Sequence, residues 1–378
     1  MKKFIILILI LISIPNISLA TDALVEDQME ALNLGTFVTE GEEYTKEAFP
    51  DLNIQDVLTG TLSGEFDNSI LYKSALKILG KEVVTSITTL GSILIIIVIH
   101  SILKSIGENL GNNSTAQIAY FVEYILIITI LISNFASIIT SIQNTISDLV
   151  GFMNTLVPIL ISLIIATGQV ASGTMLQPIL LFIIIFIGNI INLIVLPIIT
   201  VTMVLSIASN LSEKVQIGNL AKFFKSSVTW FLGFVITIFV GLLSLEGTIT
   251  SSVDGITIKG IKSVASTFIP VVGKALGDSV DTVLGATSLI KNSVGFVGII
   301  VVIGICISPI IKLTVLSIIY SFAGAISEPL ADKKIVNVIN QMSGVFKLLL
   351  GVVFFVAVLL IIGIALTLKI SNASLMYR

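Results

Sequence analysis

PILLFIIIFIGNIINLIVLPIITVTMVLSIASNL, residues 178–211, contains no charged side chain. About 20 predominantly apolar residues suffice to cross a bilayer, and helices of soluble domains average about 10–14. This run is therefore a membrane segment. The whole chain agrees with it: 378 residues, 55% hydrophobic, 11% charged, mean hydropathy +1.10. Soluble domains carry about 25% charged residues. The fold class is an all-α polytopic integral membrane protein. The run is too long for one crossing at that span length, and Pro197 divides it. Two crossings put Lys214, Lys222 and Lys225 inside; one crossing puts them outside. Charge bias favours two, with halves short enough to form a re-entrant hairpin.

Outward from this run, spans are expected at 83–102, closed by Lys104, at 118–139, at 149–167 and at 226–245, with Asp148 in a short loop after the second. Segments in the C-terminal third bring the count to about seven to nine. At the N-terminus, Met1-Lys2-Lys3, eleven apolar residues, Pro15 and Ser18-Leu-Ala20 read as a signal peptide over 1–20. An uncleaved anchor is the alternative and leaves the same orientation. Residues 21–80 form an acidic exported region (Asp22, Glu26, Asp27, Glu30, Glu40, Glu42, Glu43), read as a small solvated module. Residues 81–148 then hold two transmembrane helices.

Spaced matches suggest an internal duplication. Thr155, Pro158, Gly173, Pro197 and Thr202 return as Thr267, Pro270, Gly285, Pro309 and Thr314, all 112 positions on. Leu211-Ser-Glu213 is answered by Ile326-Ser-Glu328, and Leu232-Gly233 by Leu350-Gly351. The expected halves are 149–247 and 248–369, followed by a tail at 370–378. They run parallel if residues 260–292 cross the membrane and inverted if that stretch lies on its surface. Pro178, Pro197, Pro270 and Pro309 are expected to mark helix starts or breaks.

Residues 260–292 are the polar exception in an apolar second half. Lys274, Asp278, Asp281, Gly285, Ser288 and Asn292 follow at steps of three and four, one face of a helix, with Val280, Val283 and Ile290 opposite. Lys274 and Asp278 are spaced to pair. The face is either the solvated side of an interfacial helix or the lining of a wet conduit.

Two further charges are intramembrane candidates. Glu123 lies near a span start, placed to reach the interface or pair with Lys104, with a proton relay as the sharper alternative. Lys312 snorkels if Pro309 begins a span, and sits mid-membrane if 295–326 is one helix. Gly188, Asn189 and Asn192 share a face and read as interhelical hydrogen-bonding glue. His100 is the sole histidine and Cys306 the sole cysteine. Histidine-paired zinc sites, Ser-His or Cys-His nucleophiles and intramolecular disulfides are thereby excluded within one chain. No Walker A, HExxH or CxxC sequence occurs, so no catalytic, cofactor or metal residues are assigned and an enzyme is not expected.

With those residues in hand, the chain resembles the stage III sporulation protein AE family of endospore-forming Firmicutes. The likeness rests on Phe268-Ile-Pro270-Val-Val-Gly273, Leu276-Gly277-Asp278-Ser-Val-Asp281, Lys291-Asn292-Ser-Val294-Gly295 and Ser327-Glu328-Pro329 with Ala331-Asp332. The resemblance implies a mother-cell membrane subunit of the channel or secretion complex joining mother cell and forespore, up to and including its pore or export gate. It also implies ring-forming and membrane partners, an oligomeric assembly, contact with membrane lipid, and no nucleic acid. A stand-alone secondary transporter using Glu123, Lys312 and Asp278, and a non-conducting scaffold, remain the competing classes.

Overall fold

The computed structural model describes residues 34–64, 66, 68–109, 113–211, 217–268 and 273–375. Side chains are described for these residues except 100, 103–109, 113–117, 119–120, 211, 246–268, 273–283 and 370–375. The signal peptide, Pro270 and the last three residues lie outside them. Among the described residues every regular element is helical. In chain order they are α1 (Leu34–Thr45), α2 (Ile54–Ser63), α3 (Ser69–Asn109), α4 (Asn113–Ala166), α5 (Val170–Ile190), a π-helical turn (Ile191–Val195), α6 (Leu196–Leu211), α7 (Gly218–Phe268), α8 (Gly273–Ser327) and α9 (Lys333–Leu375).

The all-α membrane class stands, with six candidate spans among the described residues rather than seven to nine. They are Ser69–Ile99, Phe121–Ala166, Val170–Asn210, Gly218–Leu245, Leu284–Ser327 and Lys333–Lys369. Two features read as breaks are continuous helix. The expected loop at Asp148 is a polar face of α4: Gln143, Asn144, Ser147 and Asp148 are exposed while Ile142, Ile146 and Leu149 are buried, so helical periodicity runs straight through. The prolines do not break helices either. Pro158, Pro178 and Pro309 lie inside α4, α5 and α8. Pro197 follows directly on the π-helical turn, whose wider winding relieves the clash between the proline ring and the preceding carbonyl. Where neighbouring helices pack on all sides, the missing N–H is tolerated.

Real chain reversals occur where the backbone is specialised for them. Gly168 (φ 84°) turns α4 into α5 within Thr167–Gln169, a left-handed conformation that side chains resist. Ser327, Pro329 and Asp332 make the α8–α9 turn, with the Leu330 and Ala331 N–H groups donating to the Ser327 carbonyl.

Contacts fix the register of the bundle. Asn134 on α4 bonds Tyr320 on α8, and a Cβ on Gly298 would touch Leu156, so α4 and α8 are antiparallel. A Cβ on Gly188 would strike Val150, and one on Gly295 would strike Leu368, which makes α5 antiparallel to α4 and α9 antiparallel to α8. The α3–α4, α6–α7 and α8–α9 turns therefore share one end. That end carries Lys104, Lys222, Lys225, Lys333 and Lys334. Two corrections cancel here: joining 118–139 to 149–167 removes one crossing, and joining 178–211 removes another. Lys222 and Lys225 stay at the same end of the bundle as Lys104, as the sequence grouping has them. The hairpin of α8 and α9 is the centre, packed along most of its length, with α3, α4, α6 and α7 around it.

Residues 21–80 are not a separate solvated module in their described part. Leu34, Phe37, Phe49, Ile54 and Leu58 are buried in the same core as the spanning helices. The α1–α2 pair lies across α4 and α8: Phe37 and Tyr44 both ring-pack on Phe152, and Thr155 donates to Glu40 Oε2 at 2.5 Å. A Cβ at Gly304 would meet Thr45 and Phe49, so that glycine is what lets α1 sit against α8.

Candidate functional site

The polar stretch of 260–292 is divided by the structure. Its first part ends α7, and its second opens α8, which runs unbroken from Gly273 to Ser327. The steps from Lys274 to Asn292 therefore do lie on one helix. The side chains of Lys274, Asp278 and Asp281 lie outside the described residues. Ser288 and Asn292 are half-buried and Gly285 is exposed, whereas Ile290 is fully buried, in keeping with the two faces expected.

The same segment contains a residue that periodicity alone passed over. Lys291 is 0% exposed, and Thr287 and Ser293 beside it are also buried. Burying an ammonium group is expensive unless its charge is answered, so such a side chain in a spanning helix marks a working or strongly constrained position. The signal was present: Lys291 falls four residues after Thr287 and three before Val294, on the inward stripe rather than on the polar face.

A second polar layer lies at the lysine-bearing end, formed where α4, α6, α8 and α9 meet. Tyr124 donates to the Ile207 carbonyl at 2.8 Å, Asn134 Nδ2 donates to the Tyr320 hydroxyl at 2.7 Å, and Asn210 Nδ2 donates to Gln341 Oε1 at 3.2 Å. Ser321 and Ser343 hydroxyls are 2.7 Å apart, and Lys347 Nζ donates to Ser321 at 3.1 Å. None of these was singled out from the sequence, because each is one polar residue in an apolar helix whose partner is more than eighty positions away or in the next hairpin arm. Together they tie four helices with bonds that lipid cannot replace.

Glu123 turns inward: it is 3% exposed and does not reach out at the interface. Lys312 is half-buried in an uninterrupted α8, the mid-helix placement and not the span-start one. The two are not brought together. Measured from the Asn134–Tyr320 pair they lie in opposite directions, roughly 28 Å apart along the bundle at 1.5 Å per residue. Asn189 is exposed, and Asn192 sits in the π-helical turn with a buried Oδ1 that has no hydrogen-bond partner, so the expected interhelical glue is not made by that atom within this chain.

At the α1 docking site the charges are acidic. The Tyr44 phenol is pushed above its ordinary value, first by burial and then by Glu40, Asp148 and Glu43. From Tyr320, level with Lys347, to Val301, beneath Gly41, α8 rises roughly 28 Å. A hydrocarbon core is about 30 Å thick. Lysines thus mark one limit of a bilayer-sized slab and acids the other. Among the described residues no group of His, Cys, Asp and Glu is placed to hold a metal ion.

A family model described as stage III sporulation protein AE matches residues 52–371, which takes in every spanning helix. The chain belongs to the stage III sporulation protein AE family. A relative in Bacillus subtilis (strain 168), itself named stage III sporulation protein AE, is 30% identical over 230 residues. That alignment covers 61% of this chain and 58% of the relative. No solved structure matches the chain. Family membership implies a role in sporulation, and the six apolar helices among the described residues fit a multi-pass membrane protein. The stretches that carried the resemblance now have places: Ser327-Glu328-Pro329 with Ala331-Asp332 is the α8–α9 turn, and Leu276 to Asn292 lies in the first part of the central helix.

Proposed function

We propose that this chain is a membrane subunit of the sporulation-specific channel or secretion complex linking mother cell and forespore, contributing to the pore or export gate. The observation that carries the reading is length. The apolar helices Phe121–Ala166, Val170–Asn210 and Leu284–Ser327 have 46, 41 and 44 residues, roughly 60–70 Å each. A helix tilted by 40°, the upper end of the usual range, needs about 26 residues to cross the core. Some 15–20 residues per helix then extend beyond the hydrocarbon core.

Exposed apolar side chains on α5 and α6 run from Val170 and Met175 through Phe182, Phe186 and Leu193 to Val204. Lipid covers part of that ridge and protein must cover the rest. A solitary transporter has no use for this excess, whereas a subunit of an assembly does. The wide separation of Glu123 and Lys312 also speaks against a compact substrate site shared by them. In this reading the lysine-bearing turns are in the mother-cell cytoplasm. The α1–α2 pair and the far end of the α8–α9 hairpin face the intermembrane space, where ring-forming components make contact. The Lys274–Asn292 face borders the water-filled path. The internal duplication belongs to the same reading, supported by α5–α6 running in the direction of α8.

The test is photo-crosslinking in sporulating cells from a benzophenone amino acid at Phe182. Adducts with a second copy or with another protein of the complex are expected; adducts with lipid alone would sink the assembly reading. Exchanging the charges of Lys274 and Asp278 then separates pore from scaffold. A pore loses permeation while the complex still assembles, and a scaffold keeps its permeation or fails to assemble.

A further inference from the structure

A cleft of about 360 Å³ opens between α7 and α9, and two cations, Lys225 and Lys347, line it. Its apolar wall is built from Leu232, Ile236, Leu348 and Phe355, and no Asp or Glu contributes to the lining. Two helices have therefore brought like charges to one cleft. Lys225 Nζ lies so close over Gly344 that a Cβ there would stand 2.8 Å away. Lys347 Nζ reaches a neutral partner, the Ser321 hydroxyl. Neutral hydroxyls do not cancel two ammonium charges, so the cleft is complementary to an anion.

The cleft also has a direction. Phe355 is eight residues beyond Lys347 and Ile236 eleven beyond Lys225, so the apolar wall continues for roughly 12–16 Å past the lysines, away from the end with the α6–α7 and α8–α9 turns. Gly233 and Gly351 keep it open, since a Cβ at either would meet nothing within 4 Å. An inorganic anion has no use for that length of hydrocarbon surface; an acyl chain does. Trp230, the only tryptophan of the chain, is 71% exposed one residue after Thr229 of the same lining and stacks on Phe234. Exposed Trp favours the headgroup level of a bilayer. The cations are thus at headgroup depth and the apolar wall points into the hydrocarbon.

We propose that the α7–α9 cleft binds an anionic phospholipid, its phosphate between Lys225 and Lys347 and one acyl chain along Leu232, Ile236 and Phe355. Basic pockets between spanning helices recognise acidic headgroups in this way. The bound lipid joins α7, the peripheral helix, to the central hairpin. This inference stands apart from the channel reading, because it requires only the bilayer and this chain.

Full-length protein is reconstituted in nanodiscs of dioleoylphosphatidylcholine with dioleoylphosphatidylglycerol, extracted into detergent, and its retained lipid identified by native mass spectrometry. Phosphatidylglycerol is expected to stay bound in preference to phosphatidylcholine. The double variant Lys225→Gln/Lys347→Gln should hold it about thirtyfold more weakly. Gly351→Leu, which fills the cleft without changing charge, should lose it as well, and Lys225→Arg/Lys347→Arg should keep it. These last two variants carry the test if the glutamine pair does not fold. Equal retention of both lipids, displacement by inorganic phosphate alone, a co-purifying protein in place of the lipid, or retention unchanged by Gly351→Leu would each overturn the proposal.

Discussion

Replacing Phe37 by Ala should weaken the docking of α1 and α2 on the bundle. Phe37 is 0% exposed and lies with its ring centroid 6.0 Å from that of Phe152. Removing a fully buried Phe side chain costs about 3–5 kcal/mol, the lost transfer term plus the cavity left behind. The Thr155 to Glu40 bond and the remaining apolar contacts, Tyr44 on Phe152 and the buried Leu34 and Phe49, still hold the pair, so the loss shows as a shifted docking equilibrium. The reporter is a thiol at Val57, 2% exposed on α2, introduced in a Cys306→Ser background and probed with a membrane-impermeant maleimide. If docking and undocking are fast against labelling, Phe37→Ala raises the labelling rate about 140- to 3,700-fold. The same reagent acts only from the side of the membrane to which α2 is exposed. Labelling at the free-thiol rate before Phe37 is changed, or no acceleration after, would refute the docked arrangement.

Three other outcomes follow from the packing. Tyr320→Phe removes the hydroxyl that accepts from Asn134 and should lower stability by only about 0.6 kcal/mol, the average worth of a side-chain bond between membrane helices, read by unfolding in mixed micelles. Gly298→Val drives a side chain into Leu156, where a Cβ would already be 2.6 Å away, and should cost about 1–3 kcal/mol by overpacking in the same assay. Tyr44 holds its proton more tightly in the folded state than the ordinary value of 10.0. Its contribution is thus fully present below that pH and fades as pH rises through the higher folded value, so alkaline destabilisation should be blunted by Tyr44→Phe in a thermal-unfolding series across pH.

The membrane class was written in composition and in runs such as 178–211, because a charge-free segment of that length has no soluble solution. The grouping of the lysines at one end of the bundle also survives, because it depends on whether the number of crossings between them is odd or even and two miscounts cancelled. Helix continuity was not readable locally. Gln143 to Asp148 resembles a loop until Ile142, Ile146 and Leu149 are seen to share one buried face, and Pro197 resembles a break until the π-helical turn beside it is seen. Of the candidate site, the alignment of Ser288 and Asn292 on α8 was visible in spacing. The burial of Lys291 was only hinted at by its register with Thr287 and Val294.

Hydrophobic periodicity by itself determined that these residues make helices and which chemistry they face, since lipid forces every backbone group into an internal hydrogen bond. Only the tertiary structure decided what each helix packs against: that Phe37 lies on Phe152, that Asn134 meets Tyr320, and that Lys225 comes to share a cleft with Lys347. These pairings depend on axial register between helices far apart in the chain. Register is set by close approaches at Gly295, Gly298 and Gly304, whose partners no local spacing names.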